Sequence, residues 1–272
     1  MDIKRRQFLK IAGLSTIAGL GAPAAFNLLL KGQTSPVLYA SSGAGAEASH
    51  EAAPTGVRLG MVIDQRVFDA NTGLAQKCTT ACHTVHNVPN FGNPKDEIKW
   101  IFEVPFEKAF TAKSQYHKNK NLEDSSFLVL CNHCDNPPCV RACPTKATFK
   151  RKDGIVAMDY HRCIGCRFCM AACPYGMRSF NWRDPRPFID QKTHNKEFPT
   201  RMRGVVEKCN FCVDRLARNL QPACVEACGN TGAMTFGDLN DSHSEIRKLL
   251  DNNFTIQRKP SLGTNPSVFY IV

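Results

Sequence analysis

An α+β fold of two interleaved modules is what this 272-residue sequence predicts, on three observations. Four C-x3-C boxes fall at Cys78/Cys82, Cys139/Cys143, Cys169/Cys173 and Cys224/Cys228. A C-x2-C pair stands ahead of each of the last three, at Cys131/Cys134, Cys163/Cys166 and Cys209/Cys212, so all fourteen cysteines are used. A β-hairpin signal joins the second box to the third: Ala147–Lys150 and Ile155–Asp159 flank Arg151-Lys152-Asp153-Gly154, with Asp-Gly in the turn. The first and fourth boxes are left as partners across that inserted unit.

From the N-terminus, Arg5 and Arg6 precede the uncharged run Ile11–Leu30, the layout of a twin-arginine export signal. Gly13, Ser15, Thr16, Gly19, Gly21 and Pro23 dilute that run, which favours an export helix over a bilayer span. Ala44-Gly45-Ala46 or Leu38-Tyr39-Ala40 would be the cleavage site, and an uncleaved leader would serve as an anchor. The stretch Ala40–Gly56 has almost no large apolar side chains and reads as a spacer, because it cannot bury enough surface to offset the entropy of ordering it. The expected organisation is a leader over 1–46, a linker over 47–56, module A over 57–125 plus 200–240, module B over 126–199, and a helix and tail over 241–272.

The ligand runs carry the chemistry. Residues 163–174, CIGCRFCMAACP, match C-x2-C-x2-C-x3-C-P, the bacterial ferredoxin run. Three closely spaced thiolates reach three irons of one [4Fe–4S] cubane, and the fourth, opening a helical turn, points to the neighbouring cluster. Gly165 would let backbone N–H groups approach the cluster sulfurs. Residues 131–144, CNHCDNPPCVRACP, repeat the motif with four residues between the second and third ligands. Exchange of the fourth cysteine assigns Cys131, Cys134, Cys139 and Cys173 to cluster 1, and Cys163, Cys166, Cys169 and Cys143 to cluster 2. The same rule gives cluster 3 Cys209, Cys212 and Cys224 with Cys82. The reciprocal position keeps only Cys78 and Cys228: four residues after Asp159 comes Cys163, whereas four after Asp64 comes Phe68. Three [4Fe–4S] clusters and one vacant position follow, in two ferredoxin-like modules with long loops behind an export-signal helix.

The net charge is +11, of which the leader holds +4. Three clusters with their thiolates, each about −2, would bring the remainder close to neutrality, so the basicity reads as compensation for buried anions. No aromatic-and-basic stripe accompanies it, which argues against nucleic acid.

Other readings attach to the same residues. A disulfide framework would need strained bridges across C-x2-C spacings. Cys209/Cys212 with Cys224/Cys228 have the spacing of a zinc ribbon, and a structural zinc scaffold is the reading from a different class. Cys78–His83 is one residue too long for covalent haem attachment. His83 and His86 could join Cys78 and Cys228 around a metal, but a Cys78–Cys228 disulfide or packed thiols fits an oxidising compartment better. His133 and His161 sit in or beside ligand loops, where they either tune potential or are plain loop neighbours. Asp241-Ser242-His243-Ser244-Glu245 reads as a capping box before a short helix, and Ser267–Val272 as an apolar strand tying down the terminus.

On these motifs the chain resembles the exported four-cysteine-motif ferredoxin subunits of respiratory oxidoreductases, which include the iron–sulfur subunits of dimethyl-sulfoxide and polysulfide reductases. The stretches Ala81–Pro89, Cys131–Cys139, Ser179–Pro187 and Lys259–Thr264 are most similar to the DsrO family of the sulfite-reduction-associated DsrMKJOP complex, a resemblance running from about residue 57 to the end. It implies an NrfD/DsrP-type quinone-interacting membrane subunit and a DsrJ-type periplasmic multihaem cytochrome c as partners. The missing pair before Cys78 departs from the wider family. No acid–base or nucleophilic constellation stands out, so the chain is expected to conduct electrons on the periplasmic side without catalysing alone. The alternative within electron transfer is the iron–sulfur subunit of a molybdopterin oxidoreductase.

Overall fold

Leu59–Asp64 (β1) carries Met61, Val62 and Ile63 buried on both faces, so it must lie inside a sheet and between layers. The computed structural model, which describes residues 56–111 and 125–272, places it there. After β1 come the helices Gln65–Ala70 (α1) and Leu74–Val85 (α2), the strand Ile101–Pro105 (β2), the turn of helix Phe106–Ala109 (α3) and Ser126–Leu130 (β3). The inserted half follows as Pro138–Arg141 (α4), Thr148–Lys150 (β4), Val156–Met158 (β5), Phe168–Ala171 (α5) and Ser179–Phe180 (β6). The chain returns through Val206–Glu207 (β7), Val213–Leu216 (α6), Ala223–Cys228 (α7) and Met234–Asp238 (β8), and ends in Glu245–Asn252 (α8), Thr255–Ile256 (β9) and Val268–Ile271 (β10).

The main sheet has the order β8-β1-β10-β9, with β1 antiparallel to β8 and parallel to β10. The C-terminal strand is therefore interior to the sheet. Three antiparallel pairs, β2-β3, β4-β5 and β6-β7, complete the strand pairing among the described residues. The β4-β5 hairpin forms at the anticipated place, with Gly154 at φ 83° as its turn demands. The last helix starts later than its acidic prelude suggested. Its N-cap is Ser244, whose Oγ accepts from the Arg247 N–H at 3.3 Å, while Asp241 caps a separate turn at His243.

Aromatic packing holds β3 and the α3 region against the sheet. Phe110 meets Phe127 at 5.2 Å and Tyr270 at 5.3 Å, both edge to face, and the Tyr270 hydroxyl donates to the Leu128 carbonyl at 3.2 Å. The tail clamps the first ligand loop. Asp135 N–H donates to the Asn265 carbonyl at 2.8 Å, Asn136 N–H to that of Thr264 at 3.0 Å, and Ser267 N–H to that of Asn132 at 2.8 Å. Among the described residues no helix is long and apolar enough to cross a membrane, and the leader with Arg5 and Arg6 lies outside them.

A buried ion pair ties the segment entering β7 to the end of α2. Arg201 and Glu207 meet at 2.7 Å with both side chains fully inaccessible. Glu207 also accepts from Trp100 Nε1 at 2.9 Å and Asn181 Nδ2 at 2.6 Å, and Arg201 donates to the carbonyls of His86 and Asn87 at 2.6 and 2.9 Å. Removing one partner strands a buried charge. Glu207→Ala is expected to cost about 3–5 kcal/mol, read as a lowered urea midpoint, and Arg201→Met combined with Glu207→Leu to recover part of that loss.

Candidate metal centres

Each C-x2-C pair is bent by the same device. The residue just before its second cysteine takes a left-handed conformation: His133 at φ 40°, Gly165 at φ 71° and Phe211 at φ 53°. At position 165 a Cβ would lie 2.5 Å from the Gly204 carbonyl oxygen and 3.2 Å from the Phe180 ring, so only glycine fits. The close approach that requires glycine is thus to the Gly204 backbone, a reason the ligand spacing alone did not supply. The other two positions accept the conformational cost, on the order of 1–2 kcal/mol, and use the side chains they gain. His133 and Phe211, both fully buried, stack with ring centroids 3.6 Å apart and planes at 16°. His133 Nδ1 accepts from the Val156 N–H at 3.1 Å, which binds two ligand loops and β5 together. His161 lies exposed in a turn capped by Asp159.

Two cavities collect thiols in fours. One is lined by Cys131, Cys134, Cys139 and Cys173 with Asn132, Tyr175 and Arg178. The other is lined by Cys143, Cys163, Cys166 and Cys169 with Thr145, Gly165 and Arg167. In each, three thiols come from one run and the fourth from the other, because Cys143 and Cys173 lie beyond the short helices α4 and α5 and open away from their own loops. A third group is sealed in the core: Cys82 on α2 lies in the field of Cys212, Cys209 and Cys224. Burial, followed by these neighbouring thiols, pushes Cys82 and Cys224 well above the ordinary thiol range. Burial and then Cys131 raise Cys209 to about 12, and burial raises Cys212 to about 11. Thiols held this high keep their protons until a metal displaces them.

The groups are within electrostatic reach of one another in a fixed order. Cys209 senses Cys131, and Cys169 senses Cys139, so the cavity of Cys131 and Cys139 lies between the other two sets. Cys139 and Cys169 also pack in one apolar cluster with Val156 and Val206.

The position built on Cys78 and Cys228 differs. After β5 the chain runs into the loop bearing Cys163 and Cys166, whereas after β1 it turns directly into α1, capped by Asp64 and packed into the core by Phe68. No ligand loop exists there. Cys78 and Cys228 instead bring their sulfurs to 3.0 Å across α2 and α7. Cys228 therefore does not complete a ribbon-like set with Cys209 and Cys212. The histidines do not gather there either. His86 Nδ1 donates to the Cys82 carbonyl at 2.8 Å and the ring stacks on Trp100 at 4.4 Å, while burial holds its pKa down to about 4. His83 faces the Ile101 backbone.

The surroundings suit anionic clusters held by sulfur. Backbone N–H groups of Thr148, Phe211 and Ala223 point at the sulfurs of Cys143, Cys209 and Cys212, each at 3.5 Å. Among the described residues, Nδ2 of Asn132 and Nε of Arg178, buried beside the first cavity, have no hydrogen-bonding oxygen or nitrogen partner, and the Arg178 guanidinium turns to Cys139. Arg178 is 6% exposed, and although burial lowers its basicity, the thiols of Cys139, Cys169 and Cys131 raise it overall. A cation so placed favours extra negative charge nearby. Lys208, also buried, donates to the carbonyls of Val156 and Cys209 and ties the hairpin to the third ligand loop. Neither basic residue was singled out from the sequence, since nothing in the local pattern separates Arg178 or Lys208 from the many surface cations.

Thiols gathered in fours, in series, with N–H donors and buried cations around them, define a multicluster iron–sulfur electron-transfer protein. The comparisons agree. Residues 125–188 and 184–239 each match the 4Fe-4S dicluster domain. The chain is 44% identical over 203 residues, 71% of each chain, to the Hdr-like menaquinol oxidoreductase iron-sulfur subunit 1 of Archaeoglobus fulgidus. It is 36% identical to a tetrathionate reductase subunit of Salmonella typhimurium, covering 100% of this chain and 89% of that one. It is 34% identical to a polysulfide reductase polypeptide of Wolinella succinogenes, covering 79% and 94%. The protein belongs to this family of 4Fe–4S iron–sulfur subunits of oxidoreductases.

Arg178→Gln is expected to make the flanking clusters harder to reduce, by about tenfold in the reduction equilibrium or ~59 mV for one electron, in an EPR-monitored redox titration. Arg178→Lys should fall between that variant and the native protein.

Proposed function

We propose that this chain is an electron-conducting subunit with three [4Fe–4S] clusters held by Cys131, Cys134, Cys139 and Cys173, by Cys163, Cys166, Cys169 and Cys143, and by Cys209, Cys212, Cys224 and Cys82. The observation that carries the reading is the reciprocal crossing of Cys143 and Cys173 into each other's cavities. [4Fe–4S] clusters bound there exchange single electrons, and four cysteine ligands leave no open iron for a substrate. The protein's part is to fix spacing, exclude water and balance charge. Buried Cys134, Cys139, Cys209 and Cys224 keep the inner positions dry. The half-buried Cys163 and Cys166, beside exposed Ile164 and Phe168, form the surface end of the series, suited to a docked redox partner.

In this proposal the chain serves a membrane-bound respiratory complex. A relative named a menaquinol oxidoreductase subunit and another named a menaquinone reductase cluster-binding subunit support a quinone-interacting membrane partner, here of the NrfD/DsrP type. The DsrO-like stretches extend the proposal to sulfur or sulfite metabolism and to a DsrJ-type multihaem cytochrome c, on the periplasmic side after twin-arginine export, with the leader either cleaved or kept as an anchor. The tetrathionate and polysulfide reductase relatives favour a second reading, service to a molybdopterin oxidoreductase. A pterin-containing partner on purification would select it.

The holoprotein is expected to contain about twelve iron and twelve acid-labile sulfide atoms, with EPR signals of three cubanes on reduction. About sixteen of each would refute the three-cluster reading, and a colourless zinc protein would refute the electron-transfer assignment itself.

A further inference from the structure

The two cysteines that the clusters leave over are placed for a bond of their own. Cys78 and Cys228 are 0% and 2% exposed, their sulfurs are 3.0 Å apart, and they stand on the facing helices α2 and α7. Cys78 precedes Cys82 by one helical turn on α2, and Cys228 follows Cys224 by one turn on α7. A link between them would therefore hold together the two helices that supply the core thiol set. Two thiols are too few for a cubane, and neither histidine of the region turns toward them.

We propose that Cys78 and Cys228 form a disulfide that closes the two-ligand position and staples α2 to α7. This inference rests on the three-cluster reading. The sulfurs need approach by about 1 Å to reach the ~2.05 Å bond length. The oxidant is a disulfide, either of a dithiol oxidoreductase or of a small thiol, acting by exchange. The Sγ–Sγ bond forms, the oxidant's S–S bond breaks, and its two thiols leave with the two electrons and the two protons of Cys78 and Cys228. Because both sulfurs are buried in the folded chain, exchange requires α7 to open locally from α2.

The test is denaturation of the full-length holoprotein in acidic guanidinium with N-ethylmaleimide and an iron chelator, without reductant, followed by digestion and mass spectrometry. The expected result is one cross-linked peptide pair, Cys78 with Cys228, the other twelve of the fourteen cysteines being alkylated. Cys78→Ser should abolish the cross-link, leave Cys228 alkylated and leave iron at about twelve atoms. Alkylation of all fourteen cysteines, or a cross-link to any other cysteine, at about twelve iron atoms would overturn the disulfide while leaving the three-cluster reading intact. About sixteen iron atoms, falling on Cys78→Ser, would overturn both.

Discussion

The structure depends on a single geometric constraint, that a thiol four residues beyond its neighbour lies a full helical turn further along the axis and is carried away from the point that the loop before it encloses. Cys143 and Cys173 therefore leave their own runs and enter each other's cavities, and the two runs must fold against one another to fill either one. The hairpin β4-β5 sets the distance between them. The same constraint draws Cys82, far away in sequence, to Cys209, Cys212 and Cys224, which forces the flanking segments to wrap the inserted half. Interleaving is thus a consequence of ligand geometry as well as of core packing.

Electrostatics then decides what can be buried. Anionic iron–sulfur clusters in a protein interior need compensation close by, because distant surface charges are screened. Arg178 supplies it beside the first cavity, while Lys208 spans Val156 and the Cys209 loop. The Arg201–Glu207 pair does a different task. It is neutral as a unit, satisfied by Trp100, Asn181 and backbone carbonyls, and fixes the strand that leads into Cys209. The stacked His133 and Phe211 give the space between two ligand loops a rigid filling, from residues whose backbone conformation would ordinarily call for glycine.

The local signals were legible in the sequence where one residue type has one physical use. Asp153-Gly154 marked its turn, the apolar terminus marked a strand, and Phe68 in place of a cysteine marked a position without a ligand loop. What escaped reading was tertiary. The N-cap fell on Ser244 because its hydroxyl also reaches the Asp238 carbonyl at 2.7 Å, a partner no local pattern shows. Gly165 had a reason visible only once Gly204 lay against it. The Lys259–Thr264 segment looked like a tail, yet Lys259 donates to the Pro174 carbonyl at 2.7 Å and the Thr264 carbonyl holds the Asn136 N–H. The order of the thiol groups, with the Cys131 and Cys139 cavity in the middle, depended on how the halves dock.

Cys82 as a ligand supplied across the fold is tested most directly by Cys82→Ala, with an iron count and EPR. The expected outcome is loss or conversion of one cluster only, with iron falling from about twelve towards about eight and the other two signals unchanged. Three intact cubane signals and unchanged iron in that variant would contradict it.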